Sequence, residues 1–279
     1  MRNLLYTILL GLSVHLTGCG DYLDVVPKND IQTIETIFEK REDAYHWLRS
    51  CYIMLPPHIA EFLNNPAFLG ADEIVAGEYC RQKIGPGGLF IGDGLQMAQA
   101  PYGVMWHKNE AYGAIRYINI FFEKIGNVYN MEDSEKKLWT AELKALKAHF
   151  YFELMRRYGP IILVPENIDP NASLDEMKQP RRPIDEVVNA IVELCDEAIE
   201  DLPYLKEKPS TRITYHSKES AATLKAMTLL YAASPLFNGN KMFANFLNKN
   251  GERLFPDYDK EKWNHNHLLD IQFFYERMT

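Results

Sequence analysis

Several groups along this 279-residue chain have the types and spacing to do chemistry, and each implies a different one. Glycines 85, 87, 88, 92 and 94 in GPGGLFIGDG are numerous enough to cradle a phosphate. A cradle needs a strand before it and a helix start after it. Neither is expected here and Pro86 interrupts the stretch, so it reads as a plain glycine loop. His265 and His267 could ligate a metal, but no third ligand lies in sequence reach, and a solvated tail is the better reading. Asp72 and Glu73 are adjacent carboxylates, which point in different directions on a helix or a strand alike. That suits a loop or a cap better than a paired acid and base. Asn171-Ala172-Ser173 fits a glycosylation sequon and is read as a loop. No Ser-His-Asp or Cys-His pattern emerges, so no enzyme is expected, and no cofactor beyond the lipid considered next.

The elements that must position such groups begin with an apolar run. Arg2 precedes Leu4–Leu16, and Thr17 and Gly18 follow, which is the charged, apolar and small-residue order of a secretory leader. The run is short of the roughly 20 apolar residues that span a bilayer. Leu16-Thr17-Gly18-Cys19 resembles the bacterial lipobox, which implies removal of residues 1–18, fatty acylation (palmitate) of Cys19 and a lipidated tether over 19–29. Durable anchoring takes more than one acyl chain on that residue. Cys51, Cys80 and Cys195 then remain, an odd number with no CxxC pair, so neither a disulfide framework nor a zinc site follows. The formal charge is −8, with 30 basic and 38 acidic residues, and losing the leader removes Arg2 alone. That sign argues against nucleic acid or anionic lipid as a partner.

Hydrophobic periodicity predicts five helices. In 183–205, Ile184, Val187, Val188, Ile191, Leu194, Cys195, Ala198 and Leu202 recur at three and four, with Pro183 at the first helical position. A second spans 134–159 from Ser134 as N-cap, with Ala141, Ala145 and Ala148 on one side. A third spans 217–239 from Ser217 as N-cap, with Leu224, Leu229 and Leu230 among alanines. Residues 42–55 and 105–126 supply two more. Residues 56–101, rich in Pro, Gly and isolated aromatics, are expected to be a long irregular insertion, which in a compact domain is usually functional or mobile. A short strand is expected at Ile161–Val164. The fold class is mostly α, with tetratricopeptide-like helical hairpins, though no strict period of about 34 residues is visible.

Four stretches in order, CGDYLDVVP, AELKALKAHFYFELMRRYGPIILV, RRPIDEVVNAIVELCDEAIEDLP and RITYHSKESAATLKAMTLLYAASPLFNG, resemble the SusD/RagB family of outer-membrane lipoproteins. The resemblance implies a helical domain over 30–240 with its insertion at 56–101. It also implies a lipid-anchored place on the outer membrane facing the exterior, and a SusC-like TonB-dependent transporter as partner. Such proteins capture oligosaccharides or other nutrients, pass them to the transporter and catalyse nothing. For sugar capture, exposed aromatics would cover the apolar face of a pyranose, and Tyr79, Phe90 and Tyr102 are the candidates, with Arg81 and Gln82 nearby. Trp106, Trp139 and Phe150 are read as core. Family members continue for a few hundred further residues, so 241–279 reads as the start of a second half that is cut short. The stretch opening at Trp263 loses the small residues expected there. The alternative function is a helical scaffold or interaction protein, a truncated remnant that binds no sugar.

Overall fold

The computed structural model describes residues 34–55, 69–70, 72, 75–84, 88–97, 99, 101 and 110–257. The leader 1–18, Cys19, the tether 19–29, Glu73, Tyr102, Trp106, Trp263, His265 and His267 lie outside the described residues. Within them the helices run in chain order as α1 (Ile34–Ile37), α2 (Arg41–Ile53), α3 (Glu78–Ile84), α4 (Leu89–Gly92), α5 (Ala111–Lys124), α6 (Asp133–Tyr158), α7 (Leu174–Met177), α8 (Ile184–Asp201) and α9 (Lys218–Ala232). The protein is mostly α. Among the described residues no strand forms, and the pairing of Leu247 with Arg253 is an isolated bridge.

The long helix α6 is the hub, packing against α8, α5, α9 and α2. A helix with neighbours on several sides cannot keep one polar face in water. Trp139, Leu143, Leu146, Phe150, Phe152 and Leu154 are buried, and so are Glu142, Lys147 and Glu153. Short connections between contacting helices build hairpins of the tetratricopeptide-like kind: α5 turns through Ile125–Asn127 into α6, and α8 runs through two single 3-10 turns into α9. Ala141 and Ala145 of α6 form a small-residue seam with Ala198 and Leu202 of α8 and its exit and with Ala221 of α9, where helices approach closely.

The apolar register of α8 is as expected: Ile184, Val187, Val188, Ile191, Cys195 and Ala198 are all buried. Trp139 and Phe150 are core, as read. Ser217 caps α9, its hydroxyl accepting from the Ser220 amide while Ser220 Oγ accepts from the Ser217 amide. Three details differ. Ser134 lies inside the first turn of α6; the residue before the helix is Glu132, whose carbonyl accepts from Glu135 and Lys136 with no side-chain cap. Pro183 precedes the helix in an extended conformation rather than occupying its first position. Leu230 is 56% exposed, because α9 packs on α8 and α6 through its other side.

The strand expected at Ile161–Val164 is extended chain with no partner strand, and tyrosine hydroxyls stand where that partner would be. The Tyr112 hydroxyl donates to the Ile162 carbonyl (3.0 Å) and accepts from the Ile162 amide (3.1 Å). The Val164 amide donates to the Tyr151 hydroxyl at 2.8 Å, and its carbonyl accepts from Asn119 Nδ2 at 3.1 Å. Buried peptide groups must find partners somewhere, and here α5 and α6 supply them. Lys147 completes the layer by donating to Asn119 Oδ1 (2.6 Å) and the Pro165 carbonyl (2.8 Å), and burial pulls its ammonium down to about 8.

Candidate functional site

Among its described residues the insertion holds the short helices α3 and α4. An ion pair from Arg81 to Asp93 ties them together, and Arg81 Nε also donates to the Ala76 carbonyl at 2.9 Å. Arg81 is thus occupied in holding the insertion. The glycine-rich stretch turns out to be a packing device. Gly94, at φ 69°, closes α4: its amide donates to Ile91 and the Leu95 amide reaches back to Phe90, which satisfies two terminal carbonyls. At Gly92 a Cβ would sit 2.7 Å from the Leu69 carbonyl oxygen, so the helix and residues 69–70 can touch only through glycine. Gly92→Ala is therefore expected to cost about 1–3 kcal/mol of local stability, seen as faster proteolysis or hydrogen exchange across 69–97 while α6 stays protected.

Tyr79 projects from α3 into solvent, 72% exposed. Elsewhere in the insertion Val75, Leu95 and Met97 are exposed, and Gln82 lies beside Glu78, its amide donating across 3.1 Å. Phe90, on α4, is half-buried. The Arg81 to Asp93 link joins the helices carrying Tyr79 and Phe90, but the two rings are not equally available. Of the residues chosen for sugar contact, Tyr79 has the required exposure; Phe90 offers part of a ring, and Tyr102 lies outside the described residues.

Two further features were missed from the sequence. A cavity of about 590 Å³ opens between the Tyr112 ring, the end of α6 at Tyr158, the extended segment through Ile162 and Val164, and the α7 region with Met177 and Arg181. Its sequence signal was the apolar run after Gly159, taken above for a strand. The second is a buried polar cluster. Arg212, between α8 and α9, pairs with Glu142 of α6 and lies over the Tyr215 ring at 4.3 Å, the Tyr45 ring at 5.7 Å and the Trp139 ring at 5.9 Å. Burial drives the Glu142 carboxyl up to about 7 despite the opposing pull of Arg212 and Lys208, and among the described residues its Oε1 has no hydrogen-bond partner. Nearby His216 is held neutral, its imidazole pushed down to about 3 by burial and by His149 and Lys208.

Burial lifts the Cys51 and Cys195 thiols to about 12, far from a reactive thiolate. The contact of His216 Nδ1 with Ser220 Oγ (3.0 Å) belongs to the cap of α9, where the same hydroxyl donates to the Ser217 carbonyl. Among the described residues no three His, Cys, Asp or Glu side chains gather as a metal site, and no helix is long and apolar enough to cross a membrane.

Comparison with known proteins adds the lineage. A SusD-like family model, described as starch-binding and associating with the outer membrane, matches residues 78–229, more than half of the chain. Among solved structures, BT4246 superposes with a TM-score of 0.72 at 24% identity, over 86% of this chain and 39% of its own. A SusD-like protein from Bacteroides fragilis (BF3747) gives 0.59 at 24% identity, over 71% and 36%. A laminarin-binding SusD-like protein gives 0.59 at 22% identity, over 70% and 41%. At these identities the likeness is one of fold. The chain spans about two fifths of the length of these structures. No curated protein matches it.

Proposed function

Because the chain belongs to the SusD-like family of starch-binding, outer-membrane-associated proteins, we propose that it is a non-catalytic cell-surface lipoprotein. It binds oligosaccharides on the insertion around Tyr79 and delivers them to a TonB-dependent, SusC-like transporter. A covalent lipid on Cys19 holds it to the outer membrane, facing outward. The observation that carries the binding surface is Tyr79 itself, a largely exposed ring on a helix braced by Arg81 and Asp93, with the Gln82 amide on the same helix. A flat ring covers the apolar face of a pyranose, while amides and charged groups at its margin meet the hydroxyls. A laminarin-binding neighbour and a starch-binding family support the ligand class.

Titration with laminarin and with starch oligosaccharides tests the surface. Tyr79→Ala is expected to weaken binding about 10-fold, roughly 1.4 kcal/mol, and Phe90→Ala less. Unchanged affinity in a variant lacking Tyr79, Phe90 and Tyr102 together would remove the site from consideration. The anchor is tested by labelled palmitate, which the parent should incorporate and Cys19→Ala should not. Delivery is tested by co-purification with a large barrel transporter. The alternative of a sugar-free interaction scaffold draws on the exposed Met227, Leu230, Leu236 and Met242; it predicts partner capture with no response to either glycan.

A further inference from the structure

The geometry points to a second binding site, in the cavity behind residues 160–164, for an amphipathic carboxylate: a ligand with an unbranched apolar body and one anionic end. At about 590 Å³ the cavity has the size of a small-molecule site. Leu154, Tyr158, Pro160, Ile162, Val164 and Met177 give it apolar walls.

Its floor has little to offer a hydroxyl. The Ile162 amide and carbonyl are both taken by Tyr112, the Val164 amide by Tyr151 and the Val164 carbonyl by Asn119. The Ile161 carbonyl accepts from the Arg182 amide at 2.8 Å, and Gln179 Nε2 donates to the Glu176 carbonyl at 2.6 Å. A sugar entering here would strip water from its hydroxyls and find few partners in exchange. An apolar chain loses nothing.

The other half of the chemistry is Arg181, the charged residue of the lining. It is half-buried and rests over the Phe246 ring at 5.7 Å. Among the described residues its guanidinium makes no hydrogen bond or ion pair. A guanidinium presents a planar fork of donors that fits a carboxylate with two parallel hydrogen bonds. A neutral apolar molecule would leave that fork unused, and a multiply charged anion would find no second cation among the described lining residues. A single carboxylate on an apolar tail matches both ends. This site is independent of the sugar-facing surface, so Tyr79→Ala leaves it untouched.

Calorimetric titration of the full chain with octanoate, decanoate and dodecanoate below their micelle concentrations provides the test, with decanol as the uncharged control and laminarin as competitor. Each added methylene should tighten binding about 4-fold, and decanoate should exceed decanol at least 10-fold. Arg181→Gln should abolish the preference for acid over alcohol, Arg181→Lys should keep part of it, and Ile168→Trp, which fills the cavity, should abolish binding of both, with circular dichroism confirming each fold. The proposal is overturned by absence of saturable binding, by equal affinity for decanol and decanoate, by indifference to chain length or to both Arg181→Gln and Ile168→Trp, or by displacement of decanoate by laminarin. It is equally overturned if the parent self-associates through this face and Arg181→Gln makes it monomeric, since the occupant is then a second copy.

Discussion

Replacing Arg212 by alanine should cost about 1 kcal/mol more at pH 8 than at pH 5. Glu142 is buried in the hub helix with Arg212 paired to Oε2 and, among the described residues, no hydrogen-bond partner on Oε1. Removing Arg212 takes away the cation that favours the ionised carboxylate, so Glu142 answers its burial by holding a proton. The pH dependence follows from the direction of the shift. In the folded protein the Glu142 carboxyl sits at about 7, above its ordinary value of 4.5. Its contribution is therefore fully present below pH 4.5 and is lost as the pH rises through about 7. Without Arg212 the carboxyl rises further, the folded state keeps its proton to higher pH, and the penalty appears mainly above neutrality. Urea denaturation of Arg212→Ala at pH 5 and pH 8 checks this; equal losses at both would show that Arg212 does not hold the Glu142 carboxyl down. Glu142→Gln should flatten the same limb.

His216 produces the opposite slope and the other large effect. The imidazole is buried against Tyr52, His149 and the cap of α9, and is depressed from 6.5 to about 3 in the folded state. A group depressed in this way contributes stability that is present above 6.5 and is lost as the pH falls toward 3. At pH 4 the loss should be about 3 kcal/mol. His216→Gln removes this limb while keeping a polar group near Ser220. The variant should be slightly less stable than the parent at pH 7.5 and about 2 kcal/mol more stable at pH 4, so the two stability curves should cross. Curves that stay parallel would mean that His216 is protonated in the folded protein. In the parent, the Glu142 and His216 slopes oppose each other between pH 4.5 and 6.5, and stability should be nearly level there.

Much of this fold was legible because its helices announce themselves. The three-and-four spacing of Ile184, Val187, Val188, Ile191 and Cys195 could fit only a helix with one buried face, and Ser217 ahead of an alanine-rich stretch marked a cap that the structure contains. Periodicity failed where its premise fails. It assumes one wet face, whereas α6 is enclosed by several neighbours and buries Glu142 and Lys147. The helices of the insertion are too short to show a period, and Arg81, noted only as lying near the candidate aromatics, is committed to Asp93. The pairing of Arg212 with Glu142 joins residues 70 apart and could not be seen in any local window. Ile161–Val164 has the composition of a strand, but its partners are two tyrosines and an asparagine 13 to 50 residues distant.

Those tyrosine hydroxyls also bear on how the protein behaves in a crowded envelope. A bare apolar run such as Ile-Ile-Leu-Val is a template on which a foreign chain can add itself through its peptide groups, the first step toward fibrils. With Tyr112, Tyr151 and Asn119 plugging the peptide groups of Ile162 and Val164, the docking edge facing the helices is closed from within. Replacing either tyrosine by phenylalanine would keep the ring and leave those peptide groups without their partner.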